Sequence, residues 1–216
     1  MSGSLGLSVD LVETQSEIAS KILQALLPDV SRYFDNVQKQ LIDIIPNIII
    51  DSIVNQPEYD ALIGGTLQYE FGLPDPSSRL SEILETIRNG HVVKYKPVNI
   101  KSSSLAGGIK IEMVKKDFGD LLSLGSASLV TEKGEKLDWL KWLLIEGDNV
   151  IVSDHVFIFG ASQYSRTGYG VMRQVGGGFW RVPPEYAGNM QNNWITRAIE
   201  AASSQIDKEI QRLLTI

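Results

Sequence analysis

At 216 residues, 43% hydrophobic and 21% charged, the chain has the balance of a folded globular protein, enough for one large domain or a domain with an appendage, which excludes wholesale disorder. A net charge of −6 argues against nonspecific nucleic-acid binding as the main activity, because neutralising phosphates takes clustered Lys and Arg. The absence of cysteine excludes disulfides and thiolate metal sites and fits a reducing compartment.

The first seven residues are small and glycine-containing, with no basic stretch leading into an apolar core, so a loose terminus and no secretory leader are expected. Over residues 8–27, Leu11, Ile18, Ile22, Ala25 and Leu26 recur at helical spacing. Pro28 punctuates, and a second helix is predicted over 29–54, kinked or broken at Pro46, whose ring removes the bond to the carbonyl of Ile42. The window 41–54 holds nine Leu, Ile or Val residues in 14 positions, wider than one core face needs. It is either buried centrally or meets a neighbouring subunit, and Asp43, Pro46 and Asp51 exclude it as a membrane span.

Pro57 and Gly64 bracket a short helix, and 66–73 continues as helix or strand. Helix 77–89 carries Leu80, Ile83, Leu84 and Ile87 on one face and stops at Gly90. The period then changes to two, with strands predicted over 91–98, 107–114 and 126–131 and a flexible loop over 101–108. Residues 137–145 form a short buried helix with two Trp, and 150–159 a further strand. The closing helix is marked by Ile195, Ile199, Ala202, Ile206, Ile210 and Leu213, with Asn192 or Asn193 as its cap. Together these elements predict an α+β fold: a helical N-terminal half, then an antiparallel (mixed) sheet of five or six strands with a long hairpin, and a long C-terminal helix on one sheet face. The expected division is a helical region over 1–56 and an α+β core over 57–216, with the hairpin at 161–182 and the closing helix at 192–215.

The search for catalytic chemistry returns little. His91 and His155 lack the i, i+4 spacing of a zinc-binding pair. Asp154 and His155 are adjacent on a strand, so their side chains point to opposite faces, and a triad with Ser162 or Ser165 is badly posed. Gly176-Gly177-Gly178 lacks the Lys and Ser/Thr of a phosphate loop; it reads as a turn between strands 171–175 and 179–182. No metal or cofactor is expected. Charge is uneven: residues 1–90 hold thirteen acids and five bases, net −8, and residues 91–216 thirteen acids and fifteen bases, net +2. That polarity either favours head-to-tail contact between copies or is ordinary surface variation.

One segment stands out. Between His155 and Pro184 lie Arg166, Arg173 and Arg181 and no acid, interleaved with Tyr164, Tyr169, Phe179 and Trp180. Arginine with aromatics is the composition of protein-interface hot spots and of single-strand nucleic-acid surfaces; in a chain of net −6 the protein interface is favoured. The plain alternative is a core Trp180 beside solvated arginines.

The string Phe179-Trp180-Arg181-Val182-Pro183-Pro184-Glu185-Tyr186-Ala187-Gly188, followed by Asn193-Trp194-Ile195-Thr196-Arg197-Ala198, resembles virion structural proteins of tailed bacteriophages. More broadly it is similar to the small neck or tail-completion proteins that sit in rings between head and tail. The likeness covers the second half of the chain and extends weakly to residues 62–73. It implies a non-enzymatic head–tail joining component forming a closed, six-fold ring in the neck or upper tail, assembled in the host cytoplasm. Its partners would be further copies of itself and the connector, head-closure and tail proteins, with DNA passing through the lumen unread and no membrane involved. Contacts are expected at Tyr164, Arg166, Tyr169, Arg173, Trp180, Arg181, Pro183, Pro184, Glu185, Tyr186, Trp194 and Arg197, with Glu185 and Arg197 as an ion pair, and at Ile48 and Ile49 in the apolar window. The alternatives are a virion-associated hydrolase and a tail or baseplate hub or adhesion module.

Overall fold

The structure, a computed structural model, describes residues 12–101, 104–112, 117–131 and 134–215. The expected loose terminus, the helix start at residue 8, the end of the strand at 113–114 and the middle of the loop at 102–103 lie outside them. Compactness divides the chain into two units, residues 1–40 with 93–111, and residues 41–92 with 112–216. That division does not fall at the expected boundary between residues 56 and 57.

In the first unit, Thr14 and Glu17 open α1 (Gln15–Val54) with a reciprocal capping box. Glu17 accepts from the Thr14 amide at 2.8 Å, and the Thr14 hydroxyl accepts from the Glu17 amide at 3.4 Å. The helix does not break at Pro28 or Pro46 but runs continuously for 40 residues. The two carbonyls deprived of a donor belong to Gln24 and Ile42, both on exposed positions where water can replace the lost bond. The unit's other part is a hairpin of β1 (Val92–Lys101) and β2 (Ser104–Glu112), with Gly107 packed against the backbone of Val98. Gln38 of α1 donates to the Val93 carbonyl at 3.1 Å.

The second unit holds the core. The last turns of α1 bury Leu41, Ile45, Ile48, Ile49 and Ile53, so the wide apolar window faces its own unit. The same unit holds α2 (Pro57–Ile63), α3 (Thr66–Phe71), α4 (Pro76–Gly90), α5 (Gly119–Leu122) and α6 (Trp139–Leu144), with α2 packed on α3 and α4, and α4 on α5. The closing helix α7 (Trp194–Leu214) starts from Asn193, whose fully buried side chain accepts from the amides of Ile195 and Thr196 and donates to the carbonyls of Leu144 and Asn189. Ser52 of α1 donates to the Ala198 carbonyl at 2.7 Å, tying the two long helices together.

The α+β class stands as expected, with a helical N-terminal half and a long closing helix. The six strands do not share one sheet. They form three two-stranded antiparallel ladders: β1–β2, β3 (Leu129–Val130) with β4 (Lys136–Leu137), and β5 (Val152–Phe159) with β6 (Gly170–Trp180). Alternation locates a strand but does not say which strand it joins, and a two-residue strand cannot extend a sheet.

Candidate functional site

The arginine-rich segment is the β5–β6 hairpin, and its layout differs from the expected one. Gly176-Gly177-Gly178 is not a turn between strands; β6 runs through it. The ladder is regular from Phe159↔Gly170 to His155↔Gln174 and resumes at Ser153↔Phe179, so β6 carries the extra residues as a bulge. Asp154 and Gly177 both take the left-handed conformation there, φ 55° and 77°, and the Gly177 amide donates to Asp154 Oδ1 at 3.1 Å. Glycine enters that region without penalty, so the bulge sits on Gly177. The turn lies instead at 160–169, where the Ser165 hydroxyl accepts from the amides of Thr167 and Gly170. The residues weighed as a triad are thus apart in role: Asp154 holds the bulge, Ser165 holds the tip, and the His155 ring meets the Ser153 carbonyl.

The hairpin tip is latched to α3. Tyr169 stacks on Tyr69 with ring centroids 5.1 Å apart. α3 ends on Gly72 in the left-handed conformation, φ 63°, and a side chain there would meet the Arg166 guanidinium at 2.9 Å. Arg166 therefore lies flat on the glycine, its Nη2 reaching toward the Phe71 carbonyl at 3.5 Å. At the other end of β6, Trp180 is buried edge-on against Phe71 and Trp142, and its indole N–H donates to Glu70 Oε2 at 3.2 Å. Burial pushes the Glu70 carboxyl up to about 7, against the lowering effect of the Trp180 bond, and the nearby Glu185 adds to the rise. Between α3 and the tip lies a cleft of about 290 Å³ lined by Tyr69, Glu70, Gly72, Phe157, Tyr164 to Arg166 and Gly170 to Met172.

The expected contact residues fall into three groups, with Arg197 apart from them. Tyr164, Arg166, Tyr169, Arg173, Arg181, Pro184 and Glu185 are exposed, Tyr164 at 85%, and Ile158, Phe159, Val175 and Phe179 of the same hairpin are exposed with them. Pro183 and Tyr186 are half-buried in the turn after β6, where the Pro183 carbonyl accepts from the amides of Tyr186 and Ala187. Trp180, Trp194, Ile48 and Ile49 belong to the second unit's core. Arg197 does not pair with Glu185. It reaches Glu58, fully buried on α2, and the Asn192 side chain at 2.9 Å. Burial raises the Glu58 carboxyl, with Arg197 acting against it, and one Glu58 oxygen has no hydrogen-bond partner.

The α3 half of the latch, Tyr69, Glu70 and Gly72, was not among the expected contacts. The only sign of it in the sequence is that residues 62–73 carry the outlying part of the virion-protein resemblance. Among the described residues, no group of three or more His, Asp and Glu side chains could hold a metal ion, and no helix is long and apolar enough to cross a membrane. Compared with known proteins, the chain matches no family model, no curated protein and no solved structure.

Proposed function

We propose that this chain is a structural component of a tailed-phage virion, a neck or tail-completion protein that works as a closed ring joining head and tail. The observation that carries the reading, beside the resemblance of residues 179–198, is the β5–β6 hairpin. It exposes Ile158, Phe159, Tyr164, Tyr169, Val175 and Phe179 together with Arg166, Arg173 and Arg181. Isolated exposed apolar residues are ordinary, but six on one two-stranded element, interleaved with arginine and free of acids from His155 to Pro184, have the make-up of an interface centre. The helical part of the first unit supports it too: from 15 to 36, α1 buries no residue fully, although Ile18, Ile22 and Leu26 make an apolar stripe. Six-fold symmetry follows from the resemblance alone.

Light scattering on an eluting column and negative-stain images test this, on the purified chain and on mixtures with the connector and tail proteins of its particle. Rings, alone or with those partners, are expected. A strict monomer that binds none of them refutes the reading.

One observation favours a second reading, a virion-associated hydrolase: Glu70, a carboxyl titrating near 7 at the edge of a cleft, has the profile of a general acid. Turnover of peptidoglycan or polysaccharide that disappears in Glu70→Gln would establish it over the structural role.

A further inference from the structure

The β5–β6 ladder has two strands and therefore two edges, and among the described residues no third strand covers either. Antiparallel pairs alternate between hydrogen-bonded and non-bonded, and Gly160 donating to the Tyr169 carbonyl at 3.0 Å fixes the phase. The next bonded pairs are then 158 with 171 and 156 with 173. It follows that the main-chain groups of His155, Phe157 and Phe159 on β5, and of Gly170, Met172 and Gln174 on β6, point away from the ladder. Among the described residues only the Gly170 amide of these meets a partner, the Ser165 hydroxyl at the hairpin tip. Proteins blunt such edges with lysine, proline or a bulge. Neither strand holds a Lys or a Pro. The bulge at Asp154 and Gly177 interrupts only the base of the hairpin, which leaves residues 155–159 and 170–174 regular, a run of about 17 Å on each edge.

We infer that the open edge of β5 pairs with the open edge of β6 in a second copy of this chain, joining the hairpins into one sheet that runs between subunits. Charge selects this pairing over the alternatives. The one acid of β5 is Asp154 and the one charged residue of β6 is Arg173, so β5 on β6 sets no like charges together. When β6 meets its own kind, the register that uses both Met172 and Gln174 puts Arg173 of one copy directly opposite Arg173 of the next, a repulsive cross-strand pair. Pairing of β5 with β5 has no such clash but leaves every β6 edge open, whereas β5 on β6 covers both edges of each hairpin. Ile158 and Phe159, exposed on this half of the ladder, gain neighbours by the same extension. Because β5 on β6 joins unlike surfaces, the contact repeats from copy to copy and closes where the rotation allows. That closure rests on the ring reading; the pairing of the edges does not.

The chain has no cysteine, so single introduced cysteines report the junction without background. If 155, 157 and 159 bond across it to 172 and 174, then 156 and 158 of one copy become non-bonded neighbours of 171 and 173 of the next. Their Cα atoms then lie about 4.5 Å apart, within disulfide range. Val156→Cys and Ile158→Cys chains are each mixed with Val171→Cys and Arg173→Cys chains and oxidised, alone and with the connector and tail proteins. At least one mixture is expected to give roughly tenfold more covalent dimer than either of its variants by itself. Amide hydrogen exchange on the wild-type chain needs no substitution. Between dilute monomer and assembly, the outward amides of His155, Phe157, Phe159, Met172 and Gln174 are expected to slow roughly tenfold or more, while the inward amides of the same strands change little. No excess of cross-link in any mixture, equal yield from the β5 variants or the β6 variants by themselves, or unchanged exchange at the five outward amides overturns the inference. So does protection by an added connector or tail protein without the mixed cross-link, which would make a foreign strand the occupant. Rings that lack the mixed cross-link retain the neck reading and lose this inference. Mixed cross-links in open chains that bind no connector or tail protein do the reverse.

Discussion

Trp180 joins the hairpin to the core, and its removal gives the sharpest test of how the hairpin is held. The indole is 7% exposed, packs edge-on against Phe71 at 5.8 Å and Trp142 at 6.1 Å, and donates to Glu70 at 3.2 Å. Trp180→Ala removes that packing and leaves a cavity at the base of β6, which costs about 3–5 kcal/mol. At about 2–4 °C per kcal/mol for a domain of this size, the melting temperature falls on the order of 10 °C. Trp180→Phe keeps a ring against Phe71 and Trp142 but loses the donor, so it costs roughly 1–2 kcal/mol. That second variant has a distinct signature. The Trp180 bond holds the Glu70 carboxyl down, so its loss moves the Glu70 titration higher still, which carboxyl carbon NMR reads directly. Differential scanning calorimetry of both variants supplies the stabilities. If Trp180→Ala melts with the wild type and only assembly fails, Trp180 is a subunit contact and the latch described above is not what holds the hairpin.

Three further outcomes are expected. Stability should fall as pH rises from about 4.5 to about 7: below that window Glu70 is protonated in both states, and within it the unfolded carboxyl ionises while the folded one keeps its proton. The unscreened loss is about 3 kcal/mol, and roughly 1–2 kcal/mol once the partial exposure of Glu70 is allowed for; denaturant midpoints across that range should flatten in Glu70→Gln, and an unchanged profile sinks the assignment. Arg197→Met strands the buried Glu58 carboxyl and costs about 3–5 kcal/mol by urea unfolding, whereas adding Glu58→Leu should recover most of it, because a pair with one oxygen already unpartnered contributes little net stability. Phe159→Ser with Tyr164→Ser should shift stability by only about 1 kcal/mol, since Tyr164 faces solvent and Phe159 loses little beyond its edge contact with Phe157, while abolishing the assembly seen by light scattering.

What the sequence disclosed follows from the range of each signal. α7 was legible to within a residue of its cap, because a 3.6-residue apolar period is local and both Asn192 and Asn193 can cap; the structure uses Asn193, in a capping box with Thr196. β1, β2 and β5 were legible to within a few residues, but β6 was read as two strands, β4 was not read as a strand, and the pairing into three separate ladders was not legible at all, since alternation contains no partner. Pro28 misled for an energetic reason: its cost of about 3 kcal/mol in a helix interior is real, but it falls in a 40-residue helix capped by Thr14 and Glu17, with the freed carbonyl on an exposed residue. The three glycines misled because a bulge needs a partner strand, and the partner, Asp154, lies 23 residues away. The latch was hidden by the same distance: Tyr69 and Tyr169 are a hundred positions apart, and nothing local marks either as one half of a stack.

The net charge illustrates a different failure. A total of −6 argued against DNA, and the sequential halves placed the acid at residues 1–90 and the slight basic excess after them. Folding changes which residues belong in one sum: residues 93–111 join residues 1–40, so the basic excess gathers in the first unit. A partner responds to local charge density within about a Debye length, not to the chain total or to a sequential half. Arginine and exposed aromatics on β5–β6 suit a partner that is buried against and desolvated. An assembly carried by Phe159, Tyr164 and Phe179 should therefore survive added salt, because burial of apolar area is not screened as charge is.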